Sequence, residues 1–156
     1  MPESVERPRV VEPVAGVTLL YLIKQVELAV RSNLEDVTGV HGLTSLQYTA
    51  LTVLERRPGL TSAALARNSF VRAQTMAQMI TVLEERELIR RDRDLDNRRQ
   101  YLLSLTEQGQ RALDALRGDV EALEARMVSR LTDREVAEMR LALRSCRLAL
   151  GGRESH

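Results

Sequence analysis

Three consecutive pieces of the chain carry its reading. The first is Leu60-Thr61-Ser62-Ala63-Ala64-Leu65-Ala66-Arg67. The second is Arg72-Ala73-Gln74-Thr75-Met76-Ala77-Gln78-Met79-Ile80-Thr81-Val82-Leu83-Glu84-Glu85-Arg86. The third runs Leu88-Ile89-Arg90-Arg91-Asp92, then Asp94-Leu95-Asp96-Asn97-Arg98-Arg99-Gln100-Tyr101-Leu102-Leu103-Ser104-Leu105-Thr106. Together they predict a short helix, a turn, a second helix and a two-stranded hairpin with a charged loop.

At about 100° per residue, Ala73, Met76, Met79, Ile80 and Leu83 of the second helix share one apolar sector. Gln74, Thr75, Gln78, Thr81 and Glu85 fall opposite. An ordinary solvated face carries Lys/Glu pairs, whereas this one begins with short polar side chains. Gln can donate to and accept from an adenine edge in a major groove, and Thr can touch a thymine methyl. A plain amphipathic helix would look much the same, and the hairpin tips the balance. From Arg86 to Arg99 there are six arginines against four acids. Basic residues concentrated on one projecting element suit phosphate contact. The pattern is that of a winged helix-turn-helix, whose usual partner is double-stranded DNA.

Working outward, Thr61 can cap the helix Ser62 to Asn68, and Ser69-Phe70-Val71 is the turn. Arg72 stands where the second helix would normally have a capping residue, and it can reach a phosphate instead. The wing strands are expected at 88–91 and 100–105. Asp92, Asp94 and Asp96 mimic the first positions of a calcium loop. However, Asn97 replaces the turn glycine and Leu103 the bidentate Glu, so no metal is expected.

Upstream, Val14 to Val37 reads as a long helix whose apolar surface exceeds one stripe. Leu19, Ile23, Val26, Val30, Leu34 and Val37 form the stripe, and Leu20, Leu22 and Leu28 widen it. Gly39 and Gly42 end it. Thr44 and Gln47 make a capping box that starts a helix stopped by Pro58-Gly59. Downstream, Thr106 opens a helix to Leu131, and Thr132 with Glu135 opens a last one. Their apolar stripes need a partner, either within the chain or in a second copy, and a homodimerisation layer is the favoured reading. The expected organisation is an arm at 1–13, an N-terminal dimerisation helix and loop at 14–42, and a DNA-binding unit at 43–106. C-terminal dimerisation helices follow at 107–150, with a tail at 151–156. The fold class is mainly α with a small β-wing.

With 44% hydrophobic residues the 156-residue chain can bury a core, while 3% aromatics favour helices over a sandwich or barrel. A net charge of +1 does not by itself announce a nucleic-acid binder. The lone Cys146 allows neither an intrachain disulfide nor a thiolate zinc site. Its neighbours Arg144 and Arg147 point away along a helix, so an inert thiol is expected. With charged residues near the N-terminus no signal peptide is expected, and no membrane-length apolar run occurs. A cytoplasmic protein is expected, without a cofactor. No HExxH, Gly-rich phosphate loop or nucleophile elbow points to an enzyme. The competing function is a winged-helix module for protein–protein contact, whose recognition face would be apolar or acidic.

From Val14 to Leu150 the chain resembles the MarR family of bacterial transcription regulators. The resemblance rests on Leu43-Thr44-Ser45-Leu46-Gln47-Tyr48, Leu65-Ala66, Thr75, and Leu83-Glu84-Glu85-Arg86-Glu87-Leu88-Ile89-Arg90-Arg91. It continues in Arg98-Arg99 leading to Leu103-Ser104-Leu105-Thr106-Glu107-Gln108-Gly109. It implies a homodimeric DNA-binding regulator, read as a repressor, on a pseudo-palindromic operator. Gln74, Thr75 and Gln78 would face bases, Thr61, Ser62 and Arg72 would lie near phosphates, and Arg98 or Arg99 would occupy the wing tip. It also implies release by a small aromatic or phenolic ligand held between the dimer layer and the DNA-binding lobe. Residues from the first, second and fifth helices would line that cleft, with Tyr21, His41 and Tyr48 as polar candidates. The family usually has Asp where this chain has Asn97, and often a capping residue where it has Arg72. A cysteine near the first helix, used by an oxidant-sensing branch, is absent.

Overall fold

The computed structural model describes residues 16–151. The expected arm at 1–13, the first two residues of the expected first helix, and the tail beyond Gly151 lie outside the described residues. In order, the elements are α1 (Leu19–Gly39), α2 (Ser45–Arg56), α3 (Ser62–Asn68), α4 (Ala73–Glu85), β1 (Ile89–Arg93), β2 (Tyr101–Leu105), α5 (Glu107–Met127) and α6 (Asp133–Ala149).

Threonine hydroxyls start five of the six helices. Thr44 Oγ1 accepts from Gln47 N at 3.1 Å, and Gln47 Oε1 accepts in return from Thr44 N at 3.1 Å. Thr132 and Glu135 form the second reciprocal box. Thr61 and Thr106 cap α3 and α5 through the amides of Ala64 and Gly109. Each such cap contributes about 1 kcal/mol. Only α4 lacks a side-chain cap, because Arg72 offers no acceptor.

Two helix bounds differ from expectation. α1 begins at Leu19 rather than Val14, because Gly16 adopts a left-handed φ of +108° and Thr18 Oγ1 accepts from Tyr21 N. α5 ends at Met127 rather than Leu131, because Ser129 Oγ donates to the Arg126 carbonyl and a turn leads into the Thr132 cap.

The core lies in the winged lobe. Ala50, Leu51 and Leu54 of α2, Leu65 of α3, and Met76, Met79, Ile80 and Leu83 of α4 are buried together. Leu88, Ile89 and Leu103 close it from the wing, and Leu113 and Leu116 of α5 from the other side. β1 and β2 pair antiparallel from Ile89↔Leu105 to Arg93↔Tyr101. Leu60 adds a bridge to Leu103: its carbonyl accepts the Leu103 amide at 2.8 Å, and the Gly59 amide donates to the Leu103 carbonyl at 2.9 Å.

Outside that lobe the chain buries little. Thr38 is the one buried residue of α1, and α6 has none. Leu19, Leu20, Tyr21, Leu22, Ile23, Val26 and Leu28 are exposed on α1, as are Leu141, Leu143, Leu148 and Leu150 at the other end. Among the described residues, no helix is long and apolar enough to cross a membrane.

Candidate nucleic-acid interface

The second helix of the motif turns Met76, Met79, Ile80 and Leu83 of its apolar sector inward, while Ala73 at its first position is exposed, as are Gln74, Thr75 and Gln78. Arg72 is exposed at its start. Between α3, α4 and the wing lies a groove of about 410 Å³, lined by Thr61, Ser62, Ala77, Arg91, Arg99, Gln100 and Tyr101 among others. Thr61, Ser62 and Arg99 are thus brought together. The Thr61 hydroxyl accepts from Ala64 N at 3.2 Å and keeps its own proton for an outside acceptor. Ala77 at the floor leaves room between the helix and the wing.

The wing loop is held by its own hydrogen bonds. Asp94 Oδ1 accepts from Asp96 N at 2.9 Å and Oδ2 from Gln100 Nε2 at 2.7 Å. The Asp94 amide donates to the Gln100 carbonyl, and the Gln100 amide to the Asn97 carbonyl. Asn97 Oδ1 accepts from the Arg99 amide at 3.2 Å, so this residue braces the backbone rather than the arginine head. The Gln100 amide, followed by the Asp96 and Asn97 backbone, holds the Asp94 carboxyl below its ordinary pKa. Both Asp94 carboxylate oxygens are thus engaged within the loop.

The arginines divide into two groups. Arg91 pairs with Glu84 at 2.8 Å, Arg90 with Asp92 at 3.1 Å, and Arg93 donates to the Tyr101 hydroxyl at 3.1 Å. Arg91 and Arg93 each lie 5.4 Å from the centre of the Tyr101 ring. Among the described residues, Arg72, Arg98 and Arg99 have no ion-pair partner. Those three exposed cations are available to phosphates or to a minor groove. Sequence reasoning missed Tyr101 as a platform and Asp94 as the brace. The period-two spacing of Arg91 and Arg93 across from Tyr101 was the legible signal for the first.

A larger cavity, about 1210 Å³, opens between α1, α2, α4 and α6. Its apolar wall includes Ile23, Val26, Leu34, Met79, Val82, Met139 and Leu143. Thr75 and Gln78 also border it, so the exposed face of α4 is shared between groove and cavity. The expected ligand residues do not converge here. Tyr21 is exposed on α1. His41 Nε2 lies 3.4 Å from Asp119 Oδ2 of α5. Tyr48 packs half-buried against the core, and burial raises its pKa. This cavity is lined from α1, α2, α4 and α6, whereas the expected ligand cleft draws on α1, α2 and α5.

Residues 43–101 match the sequence model of the MarR family. The chain is similar to the HTH-type transcriptional repressor Rv2887 of Mycobacterium tuberculosis, with 29% identity over 123 residues, 79% of this chain and 88% of that protein. It superposes on the transcriptional repressor CouR bound to a 23-mer DNA duplex with a TM-score of 0.73 at 26% identity, covering 87% of this chain and 93% of the other. The crystal structure of Mycobacterium tuberculosis Rv2887 in complex with salicylic acid matches with a TM-score of 0.70 at 28% identity, covering 86% of this chain and 99% of the other.

Proposed function

The chain belongs to the MarR family, and on that premise we propose that it is a homodimeric DNA-binding transcriptional repressor released by a small molecule. The observation that carries this reading is that α4 exposes the amides of Gln74 and Gln78 while Arg99, which has no ion-pair partner among the described residues, borders the groove between α3, α4 and the wing. Each protomer would set α4 in a major groove, with Gln74, Thr75 and Gln78 toward base edges. Arg98 and Arg99 would enter the neighbouring minor groove, and Thr61, Ser62 and Arg72 would hold phosphates. The relative solved in complex with a DNA duplex supports a DNA-binding role.

The dimer layer would comprise residues 14–42 and 107–150, and the DNA-binding unit residues 43–106. The exposed leucines of α1 and α6 support the need for a second copy. Two-fold symmetry then calls for an inverted-repeat operator with half-sites about one helical turn apart. A repressor of this kind works in the cytoplasm and catalyses no reaction. Release would begin in the large cavity, since Thr75 and Gln78 of α4 form part of its border. A ligand favouring one placement of α4 over the other shifts the equilibrium away from DNA only through that difference in affinity.

Selection from random-sequence duplexes, followed by titration of the selected site across salt, tests this reading. An inverted repeat with a steep salt slope is expected. Recovery of no sequence above background would overturn it and favour a protein-contact module.

A further inference from the structure

The large cavity is unusual in its charges. Three ionisable side chains border it, namely Glu27, Arg31 and Glu35. Arg31 is hydrogen-bonded to Glu27, which also takes Lys24 at 3.2 Å. The second positive feature at the wall is the N-terminus of α2, where the helix dipole and free amides would ordinarily welcome an anion. Glu35 already occupies it, with Oε2 accepting from Ser45 N at 2.9 Å. Arg31 keeps Glu27, and Ser45 keeps Glu35, below the ordinary carboxyl pKa, so both are ionised near neutral pH. Each cationic feature of the wall is therefore already neutralised, and an incoming carboxylate would meet two carboxylates.

The uncharged polar groups are differently placed. Ser69 belongs to the wall, is 3% exposed, and its Oγ is buried without a hydrogen-bond partner. A buried hydroxyl without a partner is costly, and rotation about its single χ1 can offer it to a bound group. The Gln78 amide likewise has no partner among the described residues.

We propose that this cavity takes an uncharged, largely apolar ligand whose polar group hydrogen-bonds Ser69 Oγ, and that ionised aromatic acids bind it poorly. The proposal rests on the ligand-release reading above and specifies its chemistry. It departs from a simple transfer of salicylic acid, the compound bound to the relative.

Matched probes test it on the full chain near pH 7.5. 2-Naphthoic acid is ionised there, and methyl 2-naphthoate is its neutral counterpart. Binding is followed by calorimetry and by release of operator DNA. The ester should bind at least about tenfold tighter than the acid. Ser69→Ala should weaken the ester about fivefold while leaving the acid unchanged. Glu35→Gln retains an acceptor for Ser45 but removes a charge, and should strengthen the acid relative to the ester. Acid binding as tight as ester binding, or an ester insensitive to Ser69→Ala, would overturn the proposal and leave ligand release standing. If neither probe bound or released DNA, the proposal would fail together with the ligand-release reading.

Discussion

The side-chain amide of Gln100 donates to Asp94 Oδ2 at 2.7 Å and ties the two strands of the wing together where they diverge. The loop between these residues carries Arg98 and Arg99. A cation reads a narrow minor groove only if it is presented there without a large ordering cost. Asp94→Ala should therefore weaken operator binding several-fold without removing either arginine, as measured by fluorescence anisotropy. Wild-type affinity in that variant would show that the loop orders on DNA alone. The pH dependence has a definite sign. Because the Asp94 pKa is lowered in the folded state, its contribution is present above the unfolded carboxyl pKa and is lost as pH falls through the lowered folded value. The Asp96 amide resonance should accordingly stay fixed from neutral pH down to about pH 4 and move only below it.

Arg99 and Gln78 should fail in different ways. Arg99 has no ion-pair partner and borders the groove beside the wing, so Arg99→Ala should weaken specific and random duplexes alike. It should also reduce the salt slope by about 1 per protomer. Gln78 faces outward from α4 with a neutral amide, so Gln78→Ala should relax the preferred sequence at one position per half-site and leave the salt slope alone. Repeating the selection with each variant checks this division. Identical losses on specific and random DNA in both variants would refute it.

Local chemistry made the helices and the hairpin legible. Thr44, Thr61, Thr106 and Thr132 announce their helices because a cap depends on residues within one turn. The inward face of α4 followed from period alone. The cavity was not legible in the same way. It is formed by α1, α2, α4 and α6, and such a long-range arrangement leaves no periodic trace, so the sequence points to Tyr21, His41 and Tyr48 by their chemistry and not by their position. Ser69 in turn looked like an ordinary turn residue. Only the packing of its neighbours shows that its hydroxyl is buried without a partner.

Two glycines in α5 should respond oppositely to the same change. A Cβ at Gly109 would lie 2.0 Å from the Leu88 carbonyl oxygen, and that oxygen also accepts the Thr106 amide at 3.1 Å. The atoms it would overlap most are Leu88 backbone rather than the end of a flexible side chain, so they cannot yield cheaply. Gly109→Ala should cost about 3 kcal/mol and separate the wing from α5. Around Gly118 a Cβ meets nothing within 4 Å, so Gly118→Ala should stabilise by up to about 1 kcal/mol through helix propensity. Urea unfolding at one fixed protein concentration, with unchanged m-values, measures both. A stabilised Gly109→Ala variant would contradict the close approach of α5 to Leu88.

Phe70 presents the reverse case, a large apolar residue whose removal should not harm stability. It sits in the helix-turn-helix turn with φ +59° and is 84% exposed at the border of the cavity. A left-handed conformation costs a residue with a Cβ about 1–2 kcal/mol, whereas glycine adopts it freely. Against that gain stands the extra entropy of glycine in the unfolded chain, about 0.5–1 kcal/mol. With almost no burial to lose, Phe70→Gly should leave stability unchanged or raise it by up to about 1 kcal/mol. A buried phenylalanine truncated in the same way would cost about 3–5 kcal/mol. Urea unfolding decides between these outcomes. A loss in the latter range would mean that the ring is covered in the assembled protein, and it would place the partner subunit against the mouth of the cavity.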